Sequence, residues 1–295
     1  MKHEILHIKE YFPVLGENDC DATLTTYLPD NLSEINRENE KHPCLLICPG
    51  GGYGCCSQRE AEPVALNFLP DGFNVFVLNY SVAPHRYPTQ LREVAAAMEL
   101  IYRNAETWHC DTTHIAIMGF SAGGHLAAHY STAYNCPEIR AMFPDSKPVQ
   151  ASVLCYPVIT ADPAWAHLGS FDALTGKTSR TSEEILKFSC DKLVTIHTPP
   201  AFLWHTAADS CVPVMNSLLY AQALATHKRP FELHIYPQGE HGLSTCDNTT
   251  LDSVLPEHKY NHVWLSCAKE WLKHNLIKIS NRPDCTQGSL VCVCK

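Results

Sequence analysis

The stretch Gly119-Phe120-Ser121-Ala122-Gly123 sets a serine between two glycines, two positions away on each side. The apolar run HIAIMGF (114–120) precedes the serine and an alanine-rich stretch from Ala122 follows, so Ser121 falls on a turn between a strand and a helix. Such a turn holds the serine backbone in strained geometry. Side chains at 119 and 123 would strike the neighbouring strand and helix, which is the mechanical reason for glycine there. The hydroxyl then stands at a helix N-terminus, where backbone N–H groups and the helix dipole favour developing negative charge. The chemistry this offers is nucleophilic attack. An alcohol is a poor nucleophile at neutral pH, so Ser121 needs a base, a group to orient that base, and donors for an oxyanion.

The base is expected at His241 in YPQGEHGLS, on a loop with glycines at 239 and 242 that follows the strand-like run FELHIYP. The acid is expected at Asp209 in AFLWHTAADSCVPV, directly after another apolar run and before a helix near Val214. This gives the chain order serine, acid, histidine, with the acid at a strand's carboxyl end, where such folds gather their chemistry. Asp162 and Glu240 are rivals for the acid, but neither follows a core strand so closely. The bland alternative for Asp209 is a helix cap. Oxyanion donors are expected from the Gly51 and Gly52 N–H groups in CLLICPGGGYG and from the Ala122 N–H. A glycine run alone also suits a flexible turn or a phosphate cradle, although no G-K-[ST] follows it. His125 and His129 lie four apart on one helical face. A metalloprotease helix would place Glu after the first histidine, and Leu126 stands there, so the pair reads as packed or solvated and no metal is expected.

These residues need elements to position them. Strand-length apolar runs recur at 44–50, 74–80, 114–120, 151–158, 201–207 and 231–237, and segments with helical spacing lie between them, at about 60–71, 89–107, 122–134, 214–227 and 257–275. The alternation predicts an α/β fold, a mostly parallel central sheet with helices on both faces. EILHIKEYF and ATLTTYLP predict two short strands pairing antiparallel at the sheet's edge. From 159 to 199 the rhythm breaks into a polar, loop-rich insertion with one helix starting after Ser182, capped by Ser182 and Glu183; this reads as a small rim or lid. No linker interrupts 1–295, so one domain is expected, with 276–295 as its C-terminal tail.

At 295 residues the chain can bury a sizeable core, and its net charge of -9 with no basic run excludes a nucleic-acid partner. The first residues mix charges through their apolar positions and nowhere do eighteen apolar residues run together, so neither an export signal nor a membrane span is expected. Fifteen cysteines in a chain too long to need stapling fit free thiols in a reducing cytoplasm. Cys55-Cys56 and Cys292-Val293-Cys294 do not form the two C-x2-C knuckles of a zinc site. The tail CTQGSLVCVCK reads as a loosely packed end or a short edge strand.

PGGGY, GFSAGGHLA, HTAADSCVP and GEHG, in that order, resemble the α/β-hydrolase fold. More narrowly they resemble bacterial esterases related to acetylxylan and feruloyl esterases, the BD-FAE-like group, over about residues 20–275, with REAEPVALNFL, NVFVLNYSVAP, YPTQLREVAAAM and AHLGSF as supporting stretches. The resemblance implies Ser121 as nucleophile, Asp209 as acid, His241 as base and Gly51 and Gly52 as the oxyanion loop, with no cofactor. Where hormone-sensitive-lipase-like esterases carry H-G-G-G, this chain has Pro49-Gly50-Gly51-Gly52, which moves the match toward carbohydrate-type esterases. It implies acyl transfer from a small or oligosaccharide ester through an acyl-enzyme. Tyr53, His167 and Ser170 are the rim residues expected to touch the sugar or alcohol. Alternatives are a serine peptidase of the prolyl-oligopeptidase type, or an inactive hydrolase-like binding protein. A homodimer is compatible with all of these.

Overall fold

The computed structural model describes residues 1–15 and 20–277. Eight strands form one sheet: β1 (Lys2–His7), β2 (Thr23–Leu28), β3 (His42–Cys48), β4 (Asn74–Asn79), β5 (Cys110–Phe120), β6 (Ala151–Cys155), β7 (Ala201–Thr206) and β8 (Phe231–Tyr236). Their order is β1-β2-β4-β3-β5-β6-β7-β8. All pairs from β4 to β8 are parallel, while β1 pairs β2 and β2 pairs β4 antiparallel, so the expected N-terminal ribbon is present at the edge, although its first strand stops at His7 and Ile8–Tyr11, expected to continue it, form a short helix.

The central strands read as continuous apolar runs because helices cover both faces. Alternate residues of β3 divide between two cores: Cys44, Leu46 and Cys48 face one, and Leu45 and Ile47 the other. The first core is closed by the helices Thr89–Arg103, Ser121–Ala133 and Met215–Thr226, which contribute Val94, Leu126 and Tyr220 among others. The second is closed by Glu62–Phe68 and Val263–Leu272, through Phe68, Trp264 and Leu265. Each fully buried side chain of this size stabilises the fold by about 1.5–3 kcal/mol. Cys44, Cys48, Cys110, Cys155 and Cys190 are buried thiols packed as small apolar groups in these cores.

Three local expectations change. The helix expected over 257–275 is broken: Pro256–Asn261 and Val263–Leu272 are separate, joined by a tight turn in which the Leu265 N–H donates to the His262 carbonyl. The insertion 159–199 contains three short helices where one was expected, Leu168–Thr175, Ser182–Phe188 and Cys190–Leu193. They are too short for periodicity to announce them, yet Phe171, Leu174 and Phe188 pack into the first core. The middle helix is capped one residue earlier than expected. The Thr181 side chain accepts from the Glu184 N–H, and the Glu184 carboxylate accepts from the Thr181 N–H. The tail expected over 276–295, with Cys285, Cys292 and Cys294, lies almost wholly outside the described residues.

The chain runs from β3 outward to β4, then crosses back over β3 to β5. The connections after β3 and after β5 therefore leave in opposite senses. A crevice opens between their carboxyl ends, the switch point where open α/β sheets place ligands.

Candidate active site

Ser121 sits at this crevice with φ +52, in the left-handed region, 7 % exposed. Holding a non-glycine residue there costs roughly 1–3 kcal/mol, supplied by the packing around it. A β-carbon on Gly119 would fall on the Gly123 carbonyl, and one on Gly123 would fall on the Cys48 and Pro49 carbonyls. The two glycines are therefore required by the close approach of the helix Ser121–Ala133 to β3 and β5.

His241 Nε2 lies 2.7 Å from Ser121 Oγ, and His241 Nδ1 lies 2.6 Å from Asp209 Oδ2. The three residues come from the carboxyl ends of β5, β7 and β8. A carboxylate only accepts, so Nδ1 carries the proton and the Nε2 lone pair faces the serine hydroxyl. Asp209 Oδ1 accepts from the Cys211 and Val212 N–H groups, both at 2.9 Å. Burial works against the Asp209 carboxylate. Hydrogen bonds from His205, His241 and Val212 outweigh it and hold the carboxyl well below the usual range. Of the rivals, Glu240 pairs with His258 at 3.1 Å, and Asp162 accepts from the Ala164 N–H in its own turn.

His205 was not foreseen. It is fully buried in β7, four residues before the acid, and its Nε2 lies 2.9 Å from the Val212 carbonyl and 3.3 Å from Asp209 Oδ2. The carbonyl requires a proton on Nε2, so this ring also donates toward the acid, while Nδ1 accepts from Ser217 Oγ at 2.8 Å. A histidine inside an otherwise apolar strand beside a candidate acid was the available signal.

The loop after β3 faces Ser121. Gly51 has φ +123 and Gly52 φ +64, and a β-carbon on Gly51 would collide with the Cys55 carbonyl. Among the described residues neither the Gly51 nor the Gly52 N–H finds a protein acceptor, whereas the Gly50 N–H donates to Glu60 Oε2 at 2.8 Å. The Ala122 N–H belongs to the first turn of its helix, which has no intrahelical acceptor.

The rim residues divide. His167 is half-buried, with Nδ1 2.8 Å from Ser170 Oγ; burial first, and then the nearby His241, push its pKa down. Ser170 is buried, and a β-carbon on Gly52 would come 3.9 Å from its Oγ, which sets it against the glycine loop. Tyr53 corrects the expectation: it is 1 % exposed, and its hydroxyl donates to His125 Nδ1 at 2.7 Å. Its phenol points into the first core, where a buried imidazole acceptor satisfies the hydroxyl, so it is not a rim contact.

His125 and His129 are core residues. His125 Nε2 donates to the Phe188 carbonyl at 2.9 Å, and His129 stacks on Tyr87 at 5.8 Å. Among the described residues no group of three or more His, Cys, Asp or Glu side chains is placed to hold a metal ion. Burial pushes His125 down to about 4 and His129 down to about 3. In the unfolded chain both titrate near 6.5, so below that pH the unfolded state binds the extra protons. The stability they permit is complete above pH 6.5 and is lost as pH falls toward 4 and 3. At pH 5 the loss is about 2 kcal/mol per histidine. His129→Phe, which keeps a ring on Tyr87, is expected to remove about that much of the stability difference between pH 7.5 and pH 5 in denaturant titrations. An unchanged difference would show that His129 is not held neutral.

The mostly parallel sheet, the serine between strand and helix, and the acid and histidine on later loops together define the α/β-hydrolase fold. Within it the chain belongs to the BD-FAE family, whose model matches residues 27–224. The chain is 36 % identical over 232 residues to endo-1,4-beta-xylanase B of Butyrivibrio fibrisolvens, covering 75 % of this chain and 36 % of that protein. It is 31 % identical over 230 residues to an acetylxylan esterase of Xylanibacter ruminicola, covering 76 % of this chain and 44 % of that protein. The chain thus spans less than half the length of these two curated relatives. Among solved structures it is similar to an acetyl ester-xyloside bifunctional hydrolase from Caldicellulosiruptor lactoaceticus. That match has a TM-score of 0.78 and 34 % identity, covering 92 % of this chain and 96 % of the other. No helix among the described residues is long and apolar enough to cross a membrane.

Proposed function

We propose that the protein is a serine carboxylic-ester hydrolase that removes acetyl, or other small or feruloyl, groups from acylated oligosaccharides or small esters. The observation that carries this reading is the unbroken line from Asp209 Oδ2 through His241 to Ser121 Oγ, with links of 2.6 and 2.7 Å, ending opposite a loop of free glycine N–H groups. His241 Nε2 takes the serine proton as Oγ attacks the ester carbonyl. The Gly51, Gly52 and Ala122 N–H groups receive the oxyanion, and Asp209 stabilises the imidazolium. His241 returns the proton to the departing alcohol, leaving an acyl-enzyme. A water that gives its proton to the same nitrogen then hydrolyses it. No step calls on a metal or organic cofactor.

The relatives named for acetylxylan ester chemistry support a small acyl group on a sugar. His167, half-buried and paired with the buried Ser170 Oγ, is the rim residue left to meet the alcohol side, while Ser170, as buried as Tyr53, is a positioning partner and not itself a contact. We take the chain as one catalytic domain with 159–199 as its rim, and its thiol-rich composition fits work in the reducing cytoplasm. The test is a panel of acetylated xylo- and manno-oligosaccharides, feruloyl esters, p-nitrophenyl esters of rising chain length and prolyl amides. kcat/KM is expected to be highest for acetyl groups, to fall as the acyl chain lengthens, and to be negligible for the amides. Preference for long acyl chains or for prolyl amides would overturn the substrate class.

A further inference from the structure

We infer that Glu60 is a positioning residue of this reaction, locking the glycine loop after β3 and the loop carrying His241 into one frame through its two carboxylate oxygens. The inference rests on the serine-hydrolase reading above and deepens it.

Glu60 is 3 % exposed and makes no ion pair among the described residues. A carboxyl group in such a place is expensive unless its oxygens are satisfied, and an apolar side chain would serve packing better. Both oxygens are satisfied, each by a part of the site. Oε2 accepts the Gly50 N–H at 2.8 Å, and Oε1 lies 2.7 Å from the Tyr156 hydroxyl. The Tyr156 oxygen in turn accepts the Ser244 N–H at 2.9 Å, three residues after His241. With that N–H on its oxygen, the phenol proton is the one left to give to Glu60, so both carboxylate oxygens are acceptors. Burial pushes the Glu60 carboxyl up, while these two donors and the nearby His241 and Arg59 oppose the shift.

The consequence for the oxyanion loop follows from peptide planarity. The Gly50 N–H is held by Glu60, and the Gly50 carbonyl accepts the Ser57 N–H at 2.9 Å. That carbonyl shares its peptide plane with the Gly51 N–H, which must therefore point the opposite way, free for a ligand. Packing is tight: a β-carbon on Gly50 would lie 2.6 Å from Glu60 Oε2 and 2.9 Å from Ser121 Cβ. On the other side the Tyr156 ring meets the His241 ring edge-on at 5.0 Å. Ser244 Oγ adds a second tie by donating to the Arg59 carbonyl at 2.6 Å. Glu60 thus joins the donors of the oxyanion to the loop of the base, without touching the reacting atoms.

The experiment compares Glu60→Gln, Tyr156→Phe and the double variant with the native protein on p-nitrophenyl acetate, with Ser121→Ala as control. Glutamine keeps the shape of Glu60 but has one acceptor oxygen for two donors. Phenylalanine keeps the ring on His241 and cuts the link to Ser244. Each is expected to lower kcat roughly 10- to 100-fold with KM within about twofold, and the double variant to be no slower than the worse single, because one unit has been broken. Single variants that fold and keep kcat within about twofold overturn the inference, as does a loss that falls on KM or on melting temperature alone. If Glu60→Gln fails to fold, Tyr156→Phe decides on the same criteria. Activity surviving in Ser121→Ala would instead defeat the serine reading itself.

Discussion

Ser121→Ala is expected to lower kcat for p-nitrophenyl acetate by roughly 10⁴- to 10⁶-fold while leaving the fold intact. The magnitude follows from the geometry. His241 Nε2 points its lone pair at Ser121 Oγ from 2.7 Å, and the Gly51 and Gly52 N–H groups are the donors proposed for the oxyanion that its attack would form. Alanine keeps the β-carbon and the left-handed backbone, so the surrounding glycines and the helix are undisturbed and only the nucleophile is gone. What survives is whatever the glycine loop and His241 achieve with water as nucleophile, a small remainder when the residues act as a unit. Stopped assays with purified variant, at substrate well above KM, read it directly. Activity within about a hundredfold of native would mean that the ester is attacked by another group.

The second large effect is expected of Asp209→Asn, about 10⁴-fold in kcat. The new amide can still accept the Cys211 and Val212 N–H groups through its oxygen, which turns its NH2 toward His241 Nδ1. An NH2 donates where the carboxylate accepted. The imidazole must then offer a lone pair at Nδ1 and carry its proton on Nε2, facing Ser121 with no base. His205 accentuates this, since its Nε2–H also aims at the second oxygen of the pair, at 3.3 Å. The loss should fall on kcat and kcat/KM together, because binding of the ester is untouched. A variant that keeps more than about a tenth of native kcat would place the orienting carboxylate elsewhere.

The parts of the site that were legible in the sequence are those whose residue types are forced by local backbone geometry. Gly119 and Gly123 announce Ser121 because the strand-to-helix turn admits nothing larger, and Gly51 announces its loop because its φ of +123 admits only glycine. Asp209 and His241 could be picked out because each follows a strand of the parallel sheet, the buried β7 and the edge strand β8, whose carboxyl ends lie on the same side. Tyr53 was misplaced for the converse reason. A tyrosine after a glycine run looks like loop surface, and nothing local reveals the buried His125, seventy-two residues away, that draws its hydroxyl inward. Glu60 and Tyr156 were missed because their roles exist only through long-range partners. Glu60 meets Tyr156 across ninety-six positions, and no spacing rule links an acid before one helix to a tyrosine after a later strand. Two of the three short helices of the 159–199 insertion, Leu168–Thr175 and Cys190–Leu193, escaped because eight and four residues span too few turns for an apolar stripe.

In the proposed mechanism the acyl group is carried on Ser121. Treatment of the purified protein with a fluorophosphonate, followed by peptide mass mapping, tests it most directly, because the reagent phosphonylates a serine activated by a neighbouring base and held beside oxyanion donors. One adduct is expected, on the peptide containing Ser121, with loss of esterase activity in step with its formation and no labelling of Ser121→Ala. An unlabelled Ser121 in active protein, or activity lost through an adduct at another residue, would contradict the account.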